Sequence, residues 1–181
     1  MLRYTIRMQL KNISLGLVLL CVMSVLSPTN VEAYFTTNQS ATAFTSSTAL
    51  FAIEYAFGLP DNDIYMPVTT KRGLPLKSPE HSVGYSLYTG EDEVTTKGTV
   101  ASIVISDAPI VDGMYYIEKG KSRTMTLLVI YTANETFAET YKLQVDQLPY
   151  YVDIDAEALD VRQLNPSELQ YYVTKSVELQ N

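Results

Sequence analysis

A chain of 181 residues with a net charge of −7 at pH 7 has the length of one ordinary domain, and its acidity disfavours a phosphate backbone as partner. Its one cysteine, Cys21, excludes an internal disulfide, and its one histidine, His81, excludes a zinc site built on two histidines of one helix. Stability therefore has to come from a packed core and from backbone hydrogen bonds.

The first element is a leader. Arg3, Arg7 and Lys11 precede an apolar run from Ile13 to Leu26, Pro28 breaks any helix, and Val31-Glu32-Ala33 offers a cleavage site. This is the order of a secretory signal peptide. The apolar run of fourteen residues falls short of the roughly 20 that cross a bilayer as a helix. Residues 1–33 are expected to be removed, so a membrane association would come only from an uncleaved leader. With that segment go three cations, one acid and Cys21, so the net charge becomes −9. A cysteine-free exported chain also leans prokaryotic.

What remains, residues 34–181, is expected to form one antiparallel β-sandwich, Ig-like or jelly-roll-like, of about seven to nine strands. Fourteen tyrosines and many Val, Ile and Thr residues favour strands. Residues 34–45 are polar, Thr-rich and extended in character. Thr48 to Phe57 is the first long strand, stopped by Gly58-Leu59-Pro60, and Ile64 to Val68 a shorter one. Lys71 to Pro79 has the composition of a surface loop. Gly84 to Tyr88 ends at Thr89-Gly90. Thr99 to Ser106 sets Val100, Ser102 and Val104 against Ala101, Ile103 and Ile105, the pattern of a strand covered on both faces. Met114 to Glu118 and Arg123 to Thr132 predict a hairpin about Gly120, where a tight turn needs positive φ. Thr140 to Val145 and Tyr150 to Ile154 are further strands, and Asp155 to Leu164 is the one segment with helical character. Asn165-Pro166-Ser167-Glu168 predicts a helical turn, and Tyr171 to Leu179 a closing strand.

Catalytic motifs are missing. There is no Gly-x-Ser-x-Gly, and a triad would have to use His81 in its loop. Asp153-x-Asp155-x-Glu157 begins like a calcium loop, but Ala158 and Leu164 occupy the positions of the turn glycine and the bidentate acid. The acidic loops Asp61-Asn62-Asp63 and Glu91-Asp92-Glu93 could hold Ca²⁺ without forming a motif; no other cofactor is indicated. The paired residues Tyr115-Tyr116 and Tyr171-Tyr172 would each place one ring inward and one outward. The outward rings would suit a glycan or protein surface.

Ala33-Tyr34-Phe35-Thr36-Thr37, followed by Ala43-Phe44-Thr45-Ser46-Ser47-Thr48-Ala49-Leu50, resembles the start of the TasA/camelysin family of exported prokaryotic proteins. The chain departs from that pattern at Ser47-Thr48-Ala49, where the family has Gly-Thr. The resemblance implies a jelly-roll-like sandwich and a subunit of extracellular fibres or matrix. An arm at about 34–45 could add as a strand to the sheet edge of the next subunit, with Tyr34, Phe35 and Phe44 as its anchors; it could equally be the first strand of its own domain. The expected function is thus a non-enzymatic structural or surface protein, secreted or at the cell surface. The alternatives are a monomeric module for glycan or protein and a carboxylate-dependent hydrolase.

Overall fold

The structure, a computed structural model, describes residues 36–73, 81–95, 98–134, 138–155, 158–164 and 166–180. The expected leader, Tyr34 and Phe35 lie outside the described residues. The strands in chain order are β1 (Thr36–Ala43), β2 (Thr48–Phe57), β3 (Ile64–Pro67), β4 (Thr70–Arg72), β5 (Val83–Thr89), β6 (Asp92–Glu93) and β7 (Thr99–Ser106). After them come β8 (Ile110–Val111), β9 (Met114–Ile117), β10 (Arg123–Thr132), β11 (Glu139–Gln147), β12 (Pro149–Asp155), β13 (Ala158–Gln163) and β14 (Val177–Leu179). Among the described residues a helical turn, α1 (Pro166–Leu169), stands where the Asn-Pro-Ser-Glu sequence predicts it.

The strands form three sheets. The first has the order β1-β2-β10-β7 and is antiparallel throughout. The second runs β14-β11-β5-β4, with β6 folded back on β5, and its β4–β5 pair is parallel. The third runs β13-β12-β3-β9-β8. Alternation in the first sheet makes its inner face: Ala49, Phe51, Ile53, Tyr55 and Phe57 from β2, and Met125, Leu127, Val129 and Tyr131 from β10, are all buried. Each large side chain removed from water in this way contributes on the order of 1.5–3 kcal/mol.

Ring contacts show what this face covers. Tyr131 meets Tyr141 of the second sheet at 4.8 Å between centroids, and Phe57 meets Tyr150 of the third at 4.9 Å. The Tyr115 hydroxyl of the third sheet donates to the Val104 carbonyl of the first, at 3.0 Å. One layer is therefore the first sheet, and the opposite layer is the second and third side by side. Leu148, fully buried, is all that separates β11 from β12, so one extended run passes from the second sheet into the third. The architecture is the all-β antiparallel sandwich that composition and spacing imply, built from fourteen short strands among the described residues rather than seven to nine.

Four local expectations change. Met114–Glu118 and Arg123–Thr132 are not hairpin partners: β9 pairs with β3 and β8, whereas β10 pairs with β2 and β7. Gly120 does adopt φ 71°, and its N–H donates to the Leu59 carbonyl at 2.8 Å. The turn carries the chain between layers, so Ile117 and Met125 both enter the core instead of lying side by side in one sheet. Asp155–Leu164 contains a strand, β13, paired with β12 from Pro149↔Gln163 onward, not a helix. Of Tyr171–Leu179 only β14 joins a sheet, with one isolated bridge between Val173 and Gln144. The loop expected at Lys71–Pro79 starts inside β4, while residues 74–80 are outside the described set.

Candidate functional site

The outer face of the first sheet departs most from its sequence pattern. Cross-strand register sets up three rows: Thr42, Leu50, Ile130 and Ala101; then Ser40, Ala52, Leu128 and Ile103; then Asn38, Glu54, Thr126 and Ile105. Ile103 is 54 % exposed, Ile130 48 % and Ile105 44 %. Thr99–Ser106 was expected to be covered on both sides; its Ile103 and Ile105 side is open, because among the described residues no element packs over it. Glu54 is the one charged side chain in these rows. Apolar side chains contiguous across strands mark an interaction surface more strongly than single exposed residues do.

Both edges of this sheet share a property. β1 (TTNQSATA) and β7 (TVASIVIS) are eight residues long, without charge or proline. Natural sheets usually blunt exposed edges with such residues. β1 pairs with β2 of its own chain from Thr36↔Ala56 to Ala43↔Ala49, so the arm lies docked in its own sheet. Beyond it, Phe44 is 68 % exposed at the β1–β2 turn, held where the Phe44 and Thr45 N–H groups both donate to the Thr48 carbonyl.

Each tyrosine pair has one buried and one outward member, by strand alternation for Tyr115-Tyr116 in β9 and at the turn that follows α1 for Tyr171-Tyr172. Tyr115 is buried and Tyr116 faces outward, where its hydroxyl donates to Asp63 Oδ2 at 3.0 Å. That hydrogen bond, with a smaller contribution from burial, raises the Tyr116 phenol above its ordinary range. Tyr172 is buried and Tyr171 is two-thirds exposed, with its carbonyl accepting from Gln39 of β1. The outward members are not brought into one patch by shared elements: Tyr116 belongs to the third sheet, Tyr171 to the segment between α1 and β14. On the third sheet Tyr116 instead continues a row with Tyr65 and Tyr151. The Tyr65 and Tyr116 rings lie 5.3 Å apart. His81 lies nearly parallel to Tyr151 at 5.2 Å, with 2.5 Å between its Nδ1 and the Tyr151 hydroxyl oxygen.

The acidic loops have local duties. Asp63 accepts from the Lys119 N–H at 2.7 Å as well as from Tyr116, which fastens the turn between layers. Glu91-Asp92-Glu93 follows Gly90 in the β5–β6 turn, and Glu93 Oε1 accepts from the Ser86 hydroxyl at 3.0 Å. Side chains of the Asp153–Asp160 run lie outside the described set. Among the described residues no three His, Cys, Asp or Glu side chains are grouped to hold a metal, and no helix is long and apolar enough to cross a membrane.

One polar residue escaped sequence analysis. Asp146 sits where the β11–β5 register slips between Val145 and Gln147, and it is 9 % exposed. Burial, followed by the charge of Glu93, pushes its carboxyl above the usual carboxylate range, while hydrogen bonds from Ser86 and Gln144 pull it down. In a strand that alternates regularly, an acid at this position reads as a solvated outward side chain. A bulge leaves no mark in the pattern.

No known protein family and no curated protein matches the chain. Among solved structures it is similar to the GAE domain of yeast GGA1, at 8 % identity over 76 % of this chain and 96 % of that one, with a TM-score of 0.31. At that score the likeness carries no argument about function.

Proposed function

We propose that this chain is a non-enzymatic exported protein of the cell surface or extracellular matrix that associates with copies of itself through its first sheet. The observation that supports this reading is the outer face of that sheet, where Ile103, Ile105 and Ile130 stand exposed among the described residues, bounded by two uncharged, proline-free edges. Export rests on the leader pattern of residues 1–33. β1, β2, β10 and β7 alternate in direction. A copy laid edge to edge by simple translation would therefore bring its β1 antiparallel to β7 and continue the sheet. Such a contact does not close on itself and grows a filament. Exchange of β1 between copies, each arm pairing with β2 of the next copy in place of that copy's own β1, would be a second open-ended linkage, with Tyr34, Phe35 and Phe44 as the anchors of the moving arm.

The test follows mass by light scattering and shape by negative-stain microscopy. The chain would begin at Tyr34, since the compact unit Glu32–Asn181 contains the whole described core. Filaments, or a mass that rises with concentration, are expected. Ile103→Lys together with Ile105→Lys should abolish them and change stability by no more than about 0.5 kcal/mol per site, as for other exposed positions. A monomer at every concentration would overturn the proposal.

A second reading has its own support: the half-buried Tyr65 and Tyr116 rings, side by side on the third sheet next to His81 and the buried Tyr151 it covers, offer apolar faces with polar tips to a glycan or a protein. Retention on a glycan resin that Tyr65→Ala abolishes would favour it.

A further inference from the structure

We propose that the outer face of the second sheet holds a divalent cation between Asp146 and Glu93, with Ser86 as a third oxygen donor. These residues arrive from different strands. Gln144 pairs with Ser86 across β11 and β5, the register then slips at Asp146, and Tyr88 pairs with Glu93 across β5 and β6. Ser86 lies at the centre. It donates to Glu93 Oε1 at 3.0 Å, and its hydroxyl lies close enough to the Asp146 carboxyl and the Tyr88 phenol to influence the acidity of both.

Counting protons exposes a deficit. A serine hydroxyl has one hydrogen to give, and two carboxylates lie within its reach. Asp146 Oδ2 is left without a hydrogen-bond partner, although it has lost contact with water. A buried, partnerless carboxylate oxygen costs more than any ordinary unsatisfied group, because the group is charged. Lys142 does not relieve it: its Nζ lies over the Tyr88 ring, 5.8 Å from the centroid.

The donor set indicates the class of ligand. Among the described residues it consists of oxygens, two carboxylates together with hydroxyl and amide groups, with no histidine or cysteine grouped beside them. That chemistry suits a hard cation such as Ca²⁺, whose remaining positions can be filled by water. Two carboxylates balance its charge. With no third acid grouped there among the described residues and only half of a closed shell from protein, affinity should fall near the weak end for extracellular modules, about 10⁻⁴–10⁻³ M.

Tb³⁺ is a suitable probe, since it replaces Ca²⁺ and emits when excited through a nearby tyrosine, here Tyr88. The purified protein should give a saturable emission that Ca²⁺ displaces. Asp146→Asn and Glu93→Gln should each weaken binding at least tenfold, and Glu91→Gln should leave it unchanged. Thermal unfolding gives a second readout: Ca²⁺ at ten times its midpoint should raise Tm by about 3–6 °C over NaCl of equal ionic strength. Asp146→Asn should show no such rise and should be at least as stable as the parent without Ca²⁺. Absence of saturable emission, or an equal Ca²⁺ response in the parent and both variants, would overturn the site.

Discussion

Tyr55→Phe should make this protein more stable, and Tyr115→Phe should make it less so. Both remove one hydroxyl from a buried ring of the same core. Tyr55 is fully buried, and its hydroxyl has no hydrogen-bond partner among the described residues. Its ring contact Tyr172, at 6.0 Å between centroids, has a hydroxyl without a hydrogen-bond partner among the described residues as well. An unsatisfied buried hydroxyl costs about 1–3 kcal/mol, and phenylalanine keeps the ring and its packing. Tyr55→Phe should therefore gain about 1–2 kcal/mol, or roughly 2–8 °C in Tm for a chain of this length. The Tyr115 hydroxyl, by contrast, donates to the Val104 carbonyl at 3.0 Å. Its removal should cost about 1 kcal/mol. Urea unfolding of monomeric protein reports both, and an unchanged m value would certify that only stability moved. A loss of 1 kcal/mol or more in Tyr55→Phe would refute the reasoning. The hydroxyl would then be held by an internal water bridging it to Tyr172.

Alkali should unfold the protein through the same rings. Burial holds the Tyr172 phenol at about 12 and pushes those of Tyr55 and Tyr141 higher still, while an unfolded tyrosine ionises near 10. Because the folded values lie above the unfolded one, their contribution is intact below about pH 10. It declines as pH rises toward 12, by about 1.4 kcal/mol per pH unit for each ring. Tyrosinate absorbance and loss of structure should rise together; titration of these rings near pH 10 in folded protein would contradict this. Gly58→Ala should cost about 2–3 kcal/mol, read as a lowered Tm. A Cβ there would overlap the Lys121 carbonyl and come within 3.1 Å of Ser122 Cα. A change under 0.5 kcal/mol would show that the β9–β10 connection can yield.

Some elements could be placed from the sequence alone. Thr48–Phe57 has the same bounds as a predicted strand and as β2, because its alternating apolar residues are stopped by Gly58-Leu59-Pro60. Gly120 takes the positive φ assigned to it, Pro166 opens the helical turn α1, and Tyr115-Tyr116 split between core and surface along β9. These are local properties: side-chain period, turn chemistry and cap chemistry act within a few residues. Even the all-β class follows from their sum.

Partnership was decided by the tertiary structure. β9 and β10 look like a hairpin because they are adjacent in the chain, yet each finds better burial in a different layer. The Asp155–Leu164 segment became β13 because β12 offered it a free edge, which outweighed its weak helical pattern. Ile103 and Ile105 have the same side chains whether covered or bare; their exposure depends on which elements pack over the first sheet, and none among the described residues does. Asp146 is buried by a one-residue slip in register. The alternation in the sequence states which side chains share a face. Only the assembled sheets determine what that face meets, since contacts between residues far apart in the chain are settled by the packing of the whole core.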